Sequence, residues 1–504
     1  MKQQLALTVL GAVLYFLGFC GFGIWPLAFV CLVPLLFALE SSLQKKTRNT
    51  LLIGFVYGFV TYAGGYHWMV GMLETFSGFG KIASILFASV FFSYIALQFL
   101  VFSYIYRRIR LRGWSVAFAF LPTLLAVEWW FPLLFPTFIG NGLHDQIRLI
   151  QIADLGGPPL VSLSIALVNY ALFDSIDRYR RGSNFAFAPW ASAAAFLLFS
   201  YAYGTYRIDQ IDEWIKSGTV QRVGIVQVNL GTYEKRNEIQ LGHERHLAQS
   251  KKLEEEGPVD LIVWPESSYM RFLGREPNLN AEATVEDIKT PVLFGGLTVS
   301  YEPGATRHSL YNSALITNDN KQIVGSYDKT YLLAFGEYIP FGTTFPKLYD
   351  LSPQTGRFTA GERLTWLPFK QWRITPLICY EDVLPAFARR MMRATEGNLV
   401  VNLTNDAWFG DSQEPWIHLA LAQFRAVELR RYMVRATNSG VSAILDPVGR
   451  VVKHSGVKTQ EEFVSEVRML DGMESLFVRV GPWPIWIASV LVLIGFVLRR
   501  PSRD

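Results

Sequence analysis

The chain has 504 residues, of which 51% are hydrophobic, 14% aromatic and only 18% charged, with a formal net charge of +5. Soluble domains carry about 25% charged residues, so this composition excludes both disorder and a purely soluble protein, and the small net charge speaks against a nucleic-acid partner. Three cysteines exclude a disulfide scaffold and a cysteine-rich zinc module.

The apolar residues cluster into runs. Seven precede residue 204: Leu5–Phe22, Ile24–Leu39, Leu51–Met69, Ile82–Ile105, Trp114–Leu134, Leu155–Phe173 and Phe185–Tyr203, and an eighth, Pro482–Leu498, lies near the other end. Each approaches the ~20 residues that cross a ~30 Å hydrocarbon core as a helix; the second, sixth and eighth are short or interrupted by Gly and Pro. The first run follows Lys2 as a signal peptide would, but six further spans follow it and no small-residue cleavage site does, so it reads as a retained anchor. The expected organisation is a seven-helix transmembrane domain over 1–203, an α/β domain over 204–480, and an eighth transmembrane helix with its tail over 481–504.

Basic residues fall in alternate loops. Lys45, Lys46 and Arg48 lie between runs two and three, Arg107, Arg108, Arg110 and Arg112 between four and five, Arg178, Arg180 and Arg181 between six and seven, and Arg499, Arg500 and Arg503 in the tail. The other loops hold little beyond Glu74, Lys81 and Arg148. The positive-inside rule therefore places both termini in the cytoplasm and residues 204–481 outside. Cys20 and Cys31 lie within spans and read as small packing residues. Cys379 is the one cysteine of the outer domain, and a lone thiol in an oxidising compartment is a liability unless it is buried or used.

Within that domain, Arg222–Asn229 reads as a strand running into a polar turn, and Lys235–Glu256 as a charged amphipathic helix whose 251–256 stretch is a solvated face. Val259–Glu266 is a buried strand ended by Pro265, which leaves Glu266 at its carboxyl end. Further strands are read at Pro291–Leu297, Leu310–Ile316, Gln322–Tyr327, Arg373–Glu381, Asn398–Asn405 and Met433–Leu445, with helices over Pro385–Thr395 and Trp416–Glu428. Strands alternating with helices predict an α/β layered domain with its functional groups at strand ends. Three strand ends carry chemistry: Glu266, Lys329 and Cys379. A thiol that transfers acyl groups needs a base for its proton and a cation near the developing oxyanion, and these three supply both without histidine. Each alone would pass for a surface or packing residue; the combination is harder to dismiss.

Trp264-Pro-Glu266, Asp328-Lys329 and Cys379-Tyr-Glu381 resemble the Glu-Lys-Cys signatures of the nitrilase superfamily. With eight flanking apolar runs, the chain is similar to the apolipoprotein N-acyltransferase family. Lys329–Phe341, Asn405–Gly410, Arg425–Arg431 and Arg435–Gly440 carry the same resemblance. It implies an α-β-β-α sandwich domain beside the membrane helices, on the periplasmic side of a bacterial inner membrane. It implies transfer of an acyl chain from a phospholipid to the α-amino group of a diacylglyceryl-cysteine apolipoprotein, through a thioester. By motif match Glu266 is the general base, Lys329 the oxyanion-side cation and Cys379 the nucleophile, with Glu337, Tyr380 and Glu381 as supporting residues. No cofactor and no metal are implied. The match departs from the family where Arg236 stands in place of a tryptophan, which concerns contacts near a lid rather than the chemistry.

The seven histidines are scattered along the chain; His67, His144 and His418 read as structural, and no metal-ligand cluster of His, Cys and carboxylate is visible. Glu128, within the fifth run beside Trp129, Trp130 and Pro132, reads as lying near the outer interface, where it is either merely hydrated or shapes lipid entry or domain docking. Gly336–Gly342 and Trp408–Gly410 are candidate gating loops. The competing readings are a membrane-tethered amidase of the same superfamily using water as acceptor, and a non-catalytic transporter or lipoprotein-binding protein.

Overall fold

Glycine at close helix crossings and continuous apolar runs in central strands decide the two halves of the chain. The computed structural model describes residues 2–499 except 78–79, 232–233, 235–236, 277, 302–307 and 353–354. Arg236 and the tail residues Arg500 and Arg503 lie outside the described residues. The chain divides into two compact units, Met1–Glu74 with Gly78–Asp209 and Arg479–Asp504, and Thr75–Ser77 with Gln210–Val478.

The first unit is helical. Its main helices are Lys2–Leu17, Leu32–Glu40, Thr47–Gly65, Met69–Ser77, Lys81–Arg110, Val116–Trp130, Pro158–Arg180, the first part of Phe187–Ser217, and Trp483–Val497. Thr47–Gly65 packs on Lys81–Arg110 with no room for side chains at two points. A Cβ on Gly54 would lie 2.4 Å from the Phe99 carbonyl oxygen, and one on Gly58 would lie 2.8 Å from Ala96 Cα. Small residues at such crossings let helix backbones approach in an apolar solvent. Glu40 ends its helix against Arg110 (2.6 Å) and the Tyr106 hydroxyl (2.6 Å), so its charge is paired.

Among the described residues, Lys81–Arg110 and Pro158–Arg180 are long and apolar enough to cross a membrane by length and composition, whereas Lys2–Leu17, Trp25–Glu40, Val116–Trp130 and Trp483–Val497 are apolar but shorter. The second apolar run is not one helix: Trp25–Phe29 is a 3₁₀ turn begun by Pro26, and the α-helix starts only at Leu32. The sixth run starts its long helix at Pro158, after Gly157 at φ +80° turns the chain. Of the two readings of Glu128, the merely hydrated one does not hold. The side chain is buried in this unit, and its Oε1 accepts the Ile139 N–H at 2.9 Å.

The second unit is an α/β sandwich with thirteen strands among the described residues: β1 (Thr219–Gln227), β2 (Leu261–Val263), β3 (Tyr269–Leu273), β4 (Val292–Ser300), β5 (Ser309–Thr317), β6 (Ile323–Asp328), β7 (Leu367–Phe369), β8 (Trp372–Ile378), β9 (Leu399–Thr404), β10 (Met433–Thr437), β11 (Ala443–Leu445), β12 (Val451–His454) and β13 (Glu461–Met469). One sheet runs β13-β1-β2-β4-β5-β6, with β3 also paired to β4, and the other β12-β11-β10-β9-β8-β7. The centre of each is parallel, β1-β2-β4 and β8-β9-β10. That accounts for the unbroken apolar run of β2 and for the largely apolar β9, interrupted by Asn402, both of which are buried on both faces. The Ile239–Glu256 helix packs on β1 and β13, and the Pro385–Thr395 and Glu414–Leu429 helices cover the second sheet, giving α-β-β-α layers.

The sheets are pinned together by a polar side chain. Gln227, at the end of β1, accepts the hydroxyls of Thr437 (2.9 Å), Ser442 (2.6 Å) and Ser455 (2.9 Å) from the opposite sheet. Beneath the first sheet, Trp264 packs with Val226, Leu247 and Phe294, and its indole N–H reaches the Ser250 hydroxyl at 2.8 Å. The run expected as one strand over Met433–Leu445 is two antiparallel strands, β10 and β11. The break falls where Asn438 leaves the ladder to bond Leu230 through both its amide oxygen (3.1 Å) and its amide nitrogen (2.7 Å). The helix expected from Lys235 is continuous from Ile239.

Gly295 of β4 lies under the turn that carries Glu266, and an added Cβ would sit 2.5 Å from the Ser267 nitrogen and 2.7 Å from Glu266 Cα. These are backbone atoms, which cannot rotate away. Gly295→Ala is expected to destabilise the α/β unit by about 1–3 kcal/mol, measured as a lowered thermal midpoint of the full-length protein in detergent. An unchanged midpoint would mean that the turn accommodates the methyl group.

Candidate active site

The carboxyl ends of β2, β6 and β8 present the three residues singled out by the sequence. Glu266 follows β2 beyond Pro265 and is 7% exposed; Lys329 follows β6 and is 2% exposed; Cys379 follows β8 and is half-buried. Lys329 Nζ lies 2.8 Å from Glu337 Oε2 and 3.4 Å from Glu266 Oε1. Asn312 of β5 ties the group together. Its amide nitrogen donates to Glu266 Oε1 (2.7 Å) and Glu337 Oε1 (3.0 Å), and its carbonyl accepts the Lys329 N–H (2.8 Å). Glu337 Oε2 also accepts the Leu333 N–H at 2.8 Å, which fixes the loop beyond the lysine. Burial alone would pull the Lys329 ammonium down, but the Glu337 and Glu266 carboxylates outweigh it and hold its pKa well above the usual lysine range.

Cys379 adopts φ +48°, a left-handed conformation unusual for a non-glycine residue. It opens the 3₁₀ turn Cys379–Val383 and turns the thiol out of the line of β8. Burial first, and then the Glu266 charge, push its pKa well above the usual thiol range, while the Lys329 ammonium and a hydrogen bond with Thr404 pull the other way. The resting thiol is therefore protonated near neutral pH, with a carboxylate and an ammonium both acting on it. The Asn402 amide donates to the Cys379 carbonyl at 3.4 Å.

Glu381 and Tyr380 support different sides of this turn. Glu381 Oε1 accepts the N–H groups of Thr330 (2.8 Å) and Tyr331 (2.9 Å) and the Tyr327 hydroxyl (2.7 Å), and Oε2 accepts the Ile378 N–H (2.9 Å). One carboxylate thus fastens the cysteine turn to the segment that carries the lysine. Burial lifts its pKa to about 7 in spite of these donors. The Tyr380 ring packs against Tyr331 at 5.9 Å.

Asn312, Thr404 and a buried ionic cluster were not singled out by the sequence. Asn312 left a faint signal, as an amide inside an otherwise apolar strand. Asp406 and Arg435 lie in segments that carry the family resemblance and His418 reads as structural, but nothing in the sequence joins them into a cluster. Asp382, Asp406, Glu414, His418 and Arg435 come from four separate segments, and all are buried. The expectation that no His and carboxylate cluster exists is corrected by the fold, since Asp406, Glu414 and His418 bring donor atoms within 4.8 Å of one another. The set has the donors for a cation, but Arg435 already occupies it, 2.6 Å from Asp382 and 3.0 Å from Asp406. Of the two candidate gating loops, 336–342 carries the exposed Phe341 (76%), next to Phe335 (61%), both at positive φ, and 408–410 ends on Gly410 at φ +61°.

Two family models match the chain, over separate segments. Residues 11–171 match the apolipoprotein N-acyltransferase N-terminal domain, and residues 222–469 match the carbon-nitrogen hydrolase domain. The chain is 31% identical over 516 positions to an apolipoprotein N-acyltransferase of Geobacter metallireducens, spanning 99% of this chain and 96% of that protein. It is 30% identical to the protein of the same name from Azotobacter vinelandii, over 96% of this chain and 92% of that one. To apolipoprotein N-acyltransferase 2 of Leptospira interrogans it is 28% identical, over 93% and 91%.

The Glu381 contacts generate a sharp expectation. In Glu381→Gln, an amide NH₂ must face backbone N–H groups that now find an acceptor. Leaving such buried donors unpaired costs about 1–3 kcal/mol. Hydrogen exchange at Thr330 and Tyr331 is expected to accelerate, with a lowered thermal midpoint. Wild-type protection of both amides would show that Glu381 does not hold this segment.

Proposed function

Because the chain belongs to the apolipoprotein N-acyltransferase family, we propose that it moves a fatty acyl chain from a membrane phospholipid to the α-amino group of the N-terminal diacylglyceryl-cysteine of apolipoproteins, through a thioester on Cys379. In the first half-reaction the sulfur attacks the phospholipid ester carbonyl. Glu266 takes the thiol proton, the Lys329 ammonium faces the oxyanion, and the ester C–O bond breaks as the proton passes to the departing lysophospholipid oxygen. In the second, the neutral amine of the acceptor attacks the thioester carbon, the C–S bond breaks, and the amine proton returns through Glu266 to the sulfur. Splitting the exchange in two lets one site serve both lipids in turn.

What carries this reading is the buried Lys329, held by Glu337 and Glu266 and acting electrostatically on a protonated Cys379. A thiol with a raised pKa needs a base at the moment of attack, and the charge interaction between Glu266 and the thiol supports Glu266 in that role. Glu337 and Asn312 hold the carboxylate and ammonium in register, and Glu381 and Tyr380 hold the turn.

We further place eight transmembrane helices in the chain, seven within 1–203 and one within 481–504, with residues 204–480 as the periplasmic catalytic domain of a bacterial inner-membrane protein and both termini cytoplasmic. The alternation of basic loops supports this topology, and so do the two helices of full spanning length. Both substrates are lipids, so a membrane-spanning platform suits a reaction whose donor and acceptor are held in the bilayer.

Incubation of the detergent-solubilised protein with labelled phospholipid is expected to leave a hydroxylamine-labile acyl adduct on Cys379. The adduct should be absent in Cys379→Ala and form very slowly in Cys379→Ser. At saturating phospholipid, Lys329→Ala should slow single-turnover acylation by about 100–1000-fold, and Lys329→Arg should also be impaired because its donor geometry differs. No adduct in the wild type, or wild-type acylation by Lys329→Ala at saturation, would overturn the assignment. For the topology, a cysteine introduced at Arg108 in a Cys379→Ala background is expected to resist an impermeant thiol reagent in intact spheroplasts, and labelling there would refute it.

A further inference from the structure

His418 lies on the Glu414–Leu429 helix and is 4% exposed. Its Nε2 lies 2.7 Å from Asp382 Oδ1 and its Nδ1 3.2 Å from Asp406 Oδ1, with Glu414 Oε1 at 3.9 Å. A carboxylate oxygen only accepts, so a ring with a carboxylate on each nitrogen carries a proton on both. Each of these carboxylates leads to Cys379. Asp382 is in the same 3₁₀ turn as the cysteine. The Thr404 hydroxyl lies 3.3 Å from Asp406 Oδ1 and is also the thiol's hydrogen-bond neighbour, its one proton shared between the two acceptors. Arg435 completes the set. It bridges Asp382 and Asp406 and donates to Asn402 at 2.9 Å, whose amide holds the Cys379 carbonyl.

We propose that His418 is a positioning residue of the acyl-transfer site, an imidazolium at neutral pH that clamps the cysteine turn to the end of β9 and offsets the negative charge that Asp406 sets against the thiol. The proposal rests on the reading of Cys379 as the nucleophile. Charge balance supports it. Asp382 and Asp406 face Arg435 and His418, two against two, so the cluster is neutral only if the ring is charged. Burial and the Arg435 charge oppose protonation of the ring, yet Asp382 and Asp406 overcome them and push it up to about 10. Burial, followed by the Asp406 charge, lifts Glu414 out of the ordinary carboxylate range, so it adds no net charge near neutral pH. The charged groups that act most strongly on the thiol are Glu266, Lys329 and Asp406, and Arg435 is coupled to it as well.

The test is the pH dependence of Cys379 alkylation by iodoacetamide in the full-length solubilised protein, followed at the Cys379 peptide because Cys20 and Cys31 are buried. In His418→Gln, Asp406 is left less compensated, and the midpoint is expected to rise by about one pH unit, or about tenfold slower alkylation at a fixed pH below it. Adding Asp406→Asn removes one charge of each sign from the wild-type cluster and is expected to bring the midpoint back. An unchanged midpoint in a normally melting His418→Gln, or a shift that Asp406→Asn does not relieve, overturns the proposal. The wild type supplies a reading that does not depend on either variant folding. With ¹⁵N-labelled histidine, one ring should remain protonated on both nitrogens at pH 8.5, and only neutral rings there would overturn the proposal equally. Alkylation reads the thiol directly, so acylation at another residue, which would end the function proposed above, leaves this test separately interpretable.

Discussion

An ammonium removed from water is the constraint around which the α/β unit is built. Desolvating a lysine costs several kcal/mol unless opposite charge replaces the lost water. Lys329, 2% exposed, has that charge from Glu337 and Glu266. Two carboxylates around one ammonium repel each other, and Asn312 offsets the repulsion by donating to both. The lysine backbone is fixed from the opposite direction, by Asn312 on one strand and by Glu381, which grips the next two amides. The ends of β2, β6 and β8 and the body of β5 therefore have to arrive together for one cation to be stable. A site assembled this way is preorganised by the requirements of burial, before any substrate is present.

The fold was legible where local chemistry and burial agree. The apolar run of β2 reads as a buried strand because it is buried on both faces, and the Pro385–Thr395 helix begins at the proline that its sequence suggested. Glu266, Lys329 and Cys379 could be picked out because each follows a strand, an apolar one before Glu266 and Cys379. β13 was missed for the opposite reason. Glu461–Met469 is half-exposed and rich in glutamate, so its pairing with β1, rather than its composition, makes it a strand. The Met433–Leu445 run was joined in error because the residue that breaks it, Asn438, acts through a contact with Leu230 more than two hundred residues earlier. His418 was set aside as structural since its partners stand 12 and 36 residues away and come from other elements. Positions of charge in the helical half were plain in the loops, but the helix lengths were not: a proline or glycine within a run shifts where each helix starts.

The buried ionic cluster and the lysine site obey the same electrostatic logic with opposite outcomes. Around Lys329 the carboxylates outnumber the cation, which leaves proton-accepting capacity beside the thiol. Around Arg435 and His418 the signs are matched, and the cluster is a fixed support. Buried charge of the first kind suits chemistry, and of the second kind suits a framework. Their meeting at Cys379 follows from the turn after β8, which faces one cluster through its thiol and the other through Asp382.

The pairing of β1 with β13 has a consequence for biogenesis. These strands match along their whole length, from Thr219 opposite Met469 to Gln227 opposite Glu461. The first strand of the unit to be synthesised thus gains its outer neighbour only when the last one emerges, some 240 residues later. Until then a nine-residue strand has an open edge, the kind of surface on which chains aggregate. Completion of the sheet is consequently a late event in translation. Truncated chains ending before residue 461 would retain every residue of the site and still lack the strand that closes the fold.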